Sequence, residues 1–268
     1  MSITFTESEH QICALARMVE EDKIYYIQAG GAPMLSVLLA MRTHAPNVAY
    51  MLENGTIAPR PVLPLNPLMT LSNSRADYKA VMWTNMNMTN WFAAIGLVDY
   101  GILMGLQIDQ WGNFNSGFLG GDYYHPGRRF GGPGGATEIA SLCWRTIIVT
   151  DQEKRKFVKS PDFVSSPGYL DGSPGARERS GMPRGTGPYR VLTPVAMFGY
   201  DEETRRMKLL AVSPWSTVED VLNEMDFEPI IADKVEVLEP PTEQELTILR
   251  SEVDTRGQTI GQGKWIEL

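Results

Sequence analysis

The sequence predicts a three-layer α/β/α protein with a mostly parallel open sheet. Two observations point to that class: extended and helical segments alternate over residues 23–52, and the alternation resumes over 101–149. A third sets the scale, since 268 residues with 43% hydrophobic content can bury a full core, read here as one domain over 1–268.

Thr6 and Glu9 form a T-x-x-E capping box, and Ile12, Leu15, Ala16 and Val19 recur at helical spacing, which predicts a helix over about 6–22. The period then changes. Lys23 to Gln28 (KIYYIQ) is rich in β-branched and aromatic residues and stops at Ala29-Gly30-Gly31, the pattern of a strand ending in a glycine turn. Pro33 suits the start of a helix that runs through Met34 to Arg42 and ends before Pro46. Val48 to Leu52 (VAYML) reads as a buried strand, and Glu53-Asn54-Gly55 follows it directly. Ligands of such βαβ sheets bind outside the carboxyl ends of the strands, where this order places Glu53.

Further along, Gly101 to Ile108 is expected to be a strand, Ala136 to Cys143 a short helix entered from glycines, and Thr146 to Val149 a strand. Residues 160–190 are dense in Pro, Gly, Ser and Arg, which marks a long loop or crossing arm rather than a packed element. Tyr189 to Phe198 and Arg206 to Val212 flank Asp201-Glu202-Glu203-Thr204 as a hairpin. Ser216 with Glu219, and Thr242 with Glu245, are expected to cap two later helices.

Lys and Arg number 24 against 32 Asp and Glu, a formal charge of -8. With a sequence pI near 5.0, no basic field favours nucleic acid or a membrane surface, and small-molecule chemistry is the better expectation. Cys13 and Cys143 stand outside any C-x-x-C or Cys/His cluster, so neither a disulfide framework nor a metal site is expected. That usage suits a reducing cytoplasm. The N-terminus carries acids rather than a basic region before its apolar residues, so no targeting signal or membrane span is expected.

Several constellations can carry chemistry. Glu53 has an Asn and a Gly after it, and glycine admits close backbone approach to a ligand, although an isolated E-N-G is more often a turn with a solvated acid. Gly131-Gly132-Pro133-Gly134-Gly135-Ala136 opens into a helix, so its free N–H groups suit an oxyanion or phosphate; the bland alternative is a tight structural turn. It is neither a Walker loop nor a dinucleotide fingerprint. Gln107 and Asp109, in QIDQWGNFN, begin a polar turn in which Asp and Asn commonly bond nearby backbone. His125 is a loop histidine, while His10 and His44 lie in helical stretches without evident partners. Arg128 with Arg129, and Lys154-Arg155-Lys156, suit the phosphates of a polyanionic ligand or a plain solvated face. No G-x-S-x-G elbow supports a serine hydrolase.

In order along the chain, LENG at 52–55, LQIDQWGNFNS at 106–116, GDYYHPGRRFGGPGGATEIA at 121–140, and EKRKFV through SPGYLDG at 153–172 resemble one family. It is the second (beta) subunit of family I CoA transferases, of the glutaconate CoA-transferase type. The likeness extends to DEETRRMKL and VEDVLNEMDF. The resemblance implies that Glu53 is the nucleophile of an S-E-N-G motif whose serine is replaced here by Leu52. It maps the G-x-G-G-A oxyanion loop onto Gly132, Gly134, Gly135 and Ala136, and leaves Asn54, Gln107 and Asp109 as positioning residues. It also implies coenzyme A as a substrate, a carboxylic acid as acceptor (dicarboxylic in the glutaconate type), and a homologous alpha subunit as partner in a larger heteromer.

Such a carboxylate exchanges thioesters through a mixed anhydride and a glutamyl-CoA thioester without ATP. Water must be kept from both, and the 160–190 arm is a candidate cover. Ring-opening hydrolases and decarboxylases share the fold, but a retained Glu53 favours the transferase. A non-catalytic interaction subunit, or a sugar-phosphate isomerase with a related α/β core, are readings from other classes.

Overall fold

The computed structural model describes residues 3–28, 30–65 and 73–268; Ala29 of the expected glycine turn lies outside the described residues. A ten-stranded sheet runs in the order Ile230–Val237, Met207–Val212, Ala196–Tyr200, Pro188–Leu192, Arg145–Val149, Tyr100–Met104, Ile24–Ile27, Ala49–Leu52, Thr56–Ile57, Met82–Trp83. Its five central strands, from Pro188–Leu192 to Ala49–Leu52, are all parallel to their neighbours, and the additions at both flanks begin with antiparallel pairs.

Side chains of the central strands alternate between two cores. Tyr25, Ile27, Tyr50, Leu52, Ile102, Ile147 and Val149 face one, and Tyr26, Met51, Leu103 and Ile148 face the other. Burial on both faces explains why these strands read as continuous apolar runs rather than alternating ones. The first core is closed by α1 (Glu7–Ala16), α2 (Gly31–Arg42) and the segment around Leu249. The second is closed by α3 (Met86–Ala94) and α4 (Ala136–Leu142), so the protein has the three layers expected.

Local chemistry sets the element ends. The Thr6–Glu9 capping box forms as read, but α1 stops at Ala16 rather than near 22. Met18 and Val19 bond back three residues to Leu15 and Ala16, and Glu20-Glu21-Asp22 would place three acids at the negative end of a longer helix. The Gly101–Ile108 strand divides into Tyr100–Met104 and Gln107–Ile108, because the second piece turns away to pair with Phe114–Asn115. Tyr189–Phe198 likewise divides at Thr193-Pro194, since proline supplies no ladder donor, and its halves pair antiparallel.

The later helices follow in chain order: α5 (Ala176–Arg179), α6 (Val218–Asn223) and α7 (Glu243–Ile248). The cap of α6 is Thr217 with Asp220, one residue beyond the expected Ser216 and Glu219. Thr242 and Glu245 cap α7 as read.

The 160–190 arm is packed down rather than free. It contains α5, whose Arg177 is only 3% exposed. Arg177 donates to the carbonyls of Ala140 (3.0 Å) and Ser141 (3.1 Å) at the end of α4, and to Gly168 O (2.7 Å) and Thr186 Oγ1 (3.0 Å). Thr137 Oγ1 in the first turn of α4 donates to Ser165 O (2.7 Å). The arm therefore braces α4 at both ends, which fixes the glycine turn that precedes it. Among the described residues no helix is long and apolar enough to cross a membrane.

Candidate active site

Glu53 leaves the carboxyl end of the Ala49–Leu52 strand in a turn closed by Gly55 N–H to Leu52 O (3.1 Å). Gly55 has φ +100°, and a Cβ there would lie 2.4 Å from the backbone carbon of Thr84. Only glycine meets both demands. Asn54 serves the same turn: its Oδ1 accepts from Thr56 N–H (3.2 Å) and its Nδ2 donates to Asp77 (3.2 Å).

The glycine-rich turn arrives from the other side. Gly135 N–H donates to Glu53 Oε1 at 3.0 Å, and a Cβ on Gly134 would stand 3.2 Å from Oε2. A Cβ on Gly135 would meet Glu53 Oε1 at 3.2 Å and the Tyr26 hydroxyl at 3.4 Å. The glycines are thus the condition for the carboxylate to lie against the backbone. Oε2 accepts no hydrogen bond among the described residues. Burial raises the Glu53 carboxyl above its ordinary value, the Gly135 N–H opposes that shift, and the charge of Glu138 adds to it.

Tyr26 completes the floor. Its hydroxyl donates to Asn90 Oδ1 (2.9 Å) and lies 3.0 Å from Thr89 Oγ1, tying the sheet to α3 beneath the glycine turn. Burial holds this phenol protonated, well above its ordinary value. Sequence reading missed Tyr26, Thr89 and Asn90; a hydroxyl inside an apolar strand was the available signal. It also missed Gln28, whose Oε1 accepts from Met104 N–H (2.8 Å) at the carboxyl edge.

Gln107 and Asp109 lie apart from this cluster. Gln107 Oε1 accepts from Asn115 Nδ2 (2.9 Å) and Asp162 N–H (3.0 Å). Asp109 accepts from Trp111 N–H (2.9 Å), Asn113 N–H (3.0 Å) and Asn113 Nδ2 (2.7 Å). Burial raises the Asp109 carboxyl while those donors pull it down. Both side chains spend their acceptors on the 107–116 loop. Gly132 (φ +87°) has open space around its Cβ position, and Ala136 is a buried first residue of α4.

The remaining sequence candidates are held elsewhere. His10 is buried, with Nδ1 2.9 Å from Pro194 O, and burial lowers its pKa to about 4, so it stays neutral. His44 stands just beyond α2, its ring between Thr43 Oγ1 (3.1 Å) and Val19 O (2.8 Å), so both histidines have partners. His125 is exposed at the tip of the ribbon Phe118–Gly121/Pro126–Arg129. Arg129 stacks on Tyr123 and Phe118, and Arg128 on Phe130. Arg155 pairs with Glu153 and Lys156 with Asp151, which among the described residues leaves Lys154 as the member of that basic run without an ion pair. Among the described residues no three His, Cys, Asp or Glu side chains are grouped to hold a metal ion.

A carboxylate at a parallel-sheet edge, held by a backbone N–H of a glycine turn, is the arrangement of a covalent acyl-group carrier. Comparison with known proteins agrees: the family model described as Coenzyme A transferase matches residues 83–224. One of the two kinds of chain in the glutaconate CoA-transferase of Acidaminococcus fermentans is 34% identical over 263 residues, covering 93% of each chain. The crystal structure of that organism's glutaconate CoA-transferase superimposes with a TM-score of 0.86 at 31% identity, over 96% of this chain and 97% of the other. A chain of the 3-oxoadipate CoA-transferase of Pseudomonas knackmussii is 30% identical over 92% of this chain and 93% of its own. A decarboxylase structure matches with a TM-score of 0.79 at 19% identity, over 97% of this chain and 99% of its own, a likeness of fold alone. The chain belongs to the coenzyme A transferase family.

Proposed function

We propose that this chain is the catalytic subunit of a CoA transferase in which Glu53 is acylated and then carries CoA to a carboxylic acid. The observation that carries the reading is the division of labour between the two oxygens of Glu53: Oε1 held by Gly135 N–H at 3.0 Å, Oε2 free. Oε2 attacks the thioester carbonyl of an acyl-CoA, the C–S bond breaks, and CoA leaves as thiolate beside an acyl-glutamyl anhydride. The thiolate adds to Cδ of Glu53, and the negative charge that develops on Oε1 meets the Gly135 N–H. Collapse expels the first acid with Oε2 and leaves a glutamyl-CoA thioester.

The acceptor carboxylate then attacks Cδ, again placing charge on Oε1, and expels CoA thiolate. The thiolate attacks the acyl carbonyl of the new anhydride, which forms the product thioester and frees Glu53. A donor of this kind contributes about 3 kcal/mol to each such step. A raised carboxyl pKa makes Glu53 a stronger nucleophile than a solvated acid and remains compatible with ionisation at neutral pH.

The partner is a homologous alpha subunit. Supporting this, α3 buries Thr89 and Ala93 but leaves Met86 (45%), Met88 (40%) and Trp91 (53%) exposed, and Val81 and Trp83 beside it are 81% and 71% exposed. An apolar face of that extent, packed against the glutamate turn through Gly55 and Thr84, is the kind a partner covers, and covering it would exclude water from the anhydride. The acceptor is a dicarboxylic acid by analogy with the glutaconate and 3-oxoadipate enzymes. We place the reaction in the cytoplasm, where the two buried thiols Cys13 and Cys143 stay reduced.

The test is the intact mass of this subunit, copurified with its partner, after mixing with acyl-CoA thioesters and no acceptor. A CoA-sized adduct at Glu53 that disappears on adding a carboxylic acid is expected. Free acid and CoA accumulating without an adduct would instead make the chain a thioester hydrolase. As a second check, Glu53→Asp moves the carboxylate by a methylene and should lower turnover about a hundredfold or more.

A further inference from the structure

Away from the glutamate, toward the amino ends of the central strands, two arginines share one aromatic ring. Arg145 opens the strand Arg145–Val149, and Arg190 lies on its parallel neighbour Pro188–Leu192. The guanidinium of Arg190 is 3.9 Å from the centre of the Tyr189 ring, and that of Arg145 is 4.8 Å from it. Among the described residues neither arginine forms an ion pair of 4.0 Å or less. Arg190 donates one hydrogen bond, to Tyr189 O (2.9 Å), and its side chain runs so close to the next strand but one that a Cβ on Gly199 would meet Nη1 at 3.1 Å.

Both side chains line a groove of about 770 Å³ together with Trp144, Tyr169 and Lys208. Asp201, Glu202 and Glu203 line it too, as part of the 201–205 hairpin turn. Asp201 is committed there: its Oδ1 accepts from Thr204 N–H (2.8 Å), Thr204 Oγ1 (2.7 Å) and Glu203 N–H (3.2 Å). The arginine pair is therefore left uncompensated. Burial lowers the Arg190 guanidinium from its ordinary value, and the charge of Arg145 adds to that. Two like charges held together in a partly desolvated groove raise the free energy of the fold unless an anion lies between them.

We propose that this groove is a second ligand site, remote from Glu53, that takes a phosphate dianion, free or as a small monoester. Two guanidiniums presenting donors from neighbouring strands match a tetrahedral group with several acceptor oxygens and a charge close to -2 at neutral pH. The planar guanidinium fork suits phosphate oxygens better than an ammonium does. The acids of the hairpin turn limit the site to compact anions, because a longer polyanion would meet Glu202 and Glu203. The Tyr189, Tyr169 and Trp144 rings offer apolar walls to the ester group.

The test is calorimetric titration of the assembled enzyme with inorganic phosphate and, separately, glycerol 3-phosphate, at ionic strength fixed with sodium chloride. Saturable binding of either is expected, weakened at least about tenfold in Arg145→Gln and in Arg190→Gln. Acyl transfer and thermal midpoint should stay unchanged in both variants. Arg190→Lys should bind between the two, since it keeps the charge and loses the fork. Tighter binding of glycerol 3-phosphate assigns the site to monoesters, and of phosphate alone to the free ion. The proposal is overturned if neither probe saturates, if both bind equally well to the two Gln variants, or if those variants change only the mass of the assembly, which would make the arginines a contact between chains.

Discussion

Gly135 N–H meets Glu53 Oε1 at 3.0 Å across 82 positions of the chain. The contact joins the end of one central strand to the turn that opens α4, and it distinguishes the two oxygens of a side chain that is otherwise symmetric. Gly134, next to it, has φ +55° and no room for a Cβ between itself and Oε2.

Gly134→Ala should displace the carboxylate rather than unfold the protein. The left-handed backbone costs an alanine about 1 kcal/mol, and the new methyl group pushes Oε2 aside by a few tenths of an ångström or more. We expect kcat to fall at least about tenfold while the urea midpoint moves little. Wild-type turnover in a folded variant would remove the glycine turn from the mechanism.

Isotope placement follows from the held and free oxygens. With an acceptor acid labelled in both carboxyl oxygens with ¹⁸O, only the Oε2 position of Glu53 should exchange. The peptide carrying Glu53 would gain one labelled oxygen and keep that number over many turnovers. Gain of two would mean that the carboxylate rotates out of its bond to Gly135 between cycles.

The pH dependence has a defined sign. Burial raises the folded-state pKa of Glu53 above its ordinary value, so the ionised form is the less favoured one in the fold. Its contribution to stability is complete below the unfolded-state pKa and is lost as pH rises through the folded-state pKa. Glu53→Gln should therefore stabilise the protein at pH 7 relative to wild type, and the difference should shrink as pH falls toward the ordinary carboxylate value. Denaturant titrations at several pH values measure it. Turnover should drop on the acid side at the same raised pKa, as the nucleophile is protonated.

Arg177→Met should cost about 3 kcal/mol, because it strips donors from the carbonyls of Ala140, Ser141 and Gly168. Arg177 is 3% exposed and burial lowers its pKa to about 10, so it is an arginine held by carbonyls rather than by acids. Since it clamps the end of α4, turnover should fall with stability. Urea unfolding and kcat on the same preparation read both. Loss of neither would leave the arm without a bracing role.

Much of this was legible in the chain. The run VAYML ahead of E-N-G located Glu53 at a strand's carboxyl end, since a strand buried on both faces must be apolar throughout and the first polar residue marks its exit. Two of the three capping boxes read in the sequence formed as expected, and the third shifted by one residue because Ser216-Thr217 and Glu219-Asp220 offer two registers of similar chemistry. Where α1 ends and where Gly101–Ile108 divides were not legible, because tertiary pairing outweighed a periodic signal that ran on.

Sequence by itself determined the layering, the parallel core, the candidate nucleophile and the glycines able to approach it, because periodicity and backbone freedom are local properties. Only the tertiary structure decided that Gly135 is the donor to Oε1, that Tyr26 lies beneath, that Gln107 and Asp109 shape another loop, and that the 160–190 arm clamps α4. Those are contacts between segments far apart in the chain. Their partners are chosen by how the sheet orders its strands, and no spacing along one segment encodes that order.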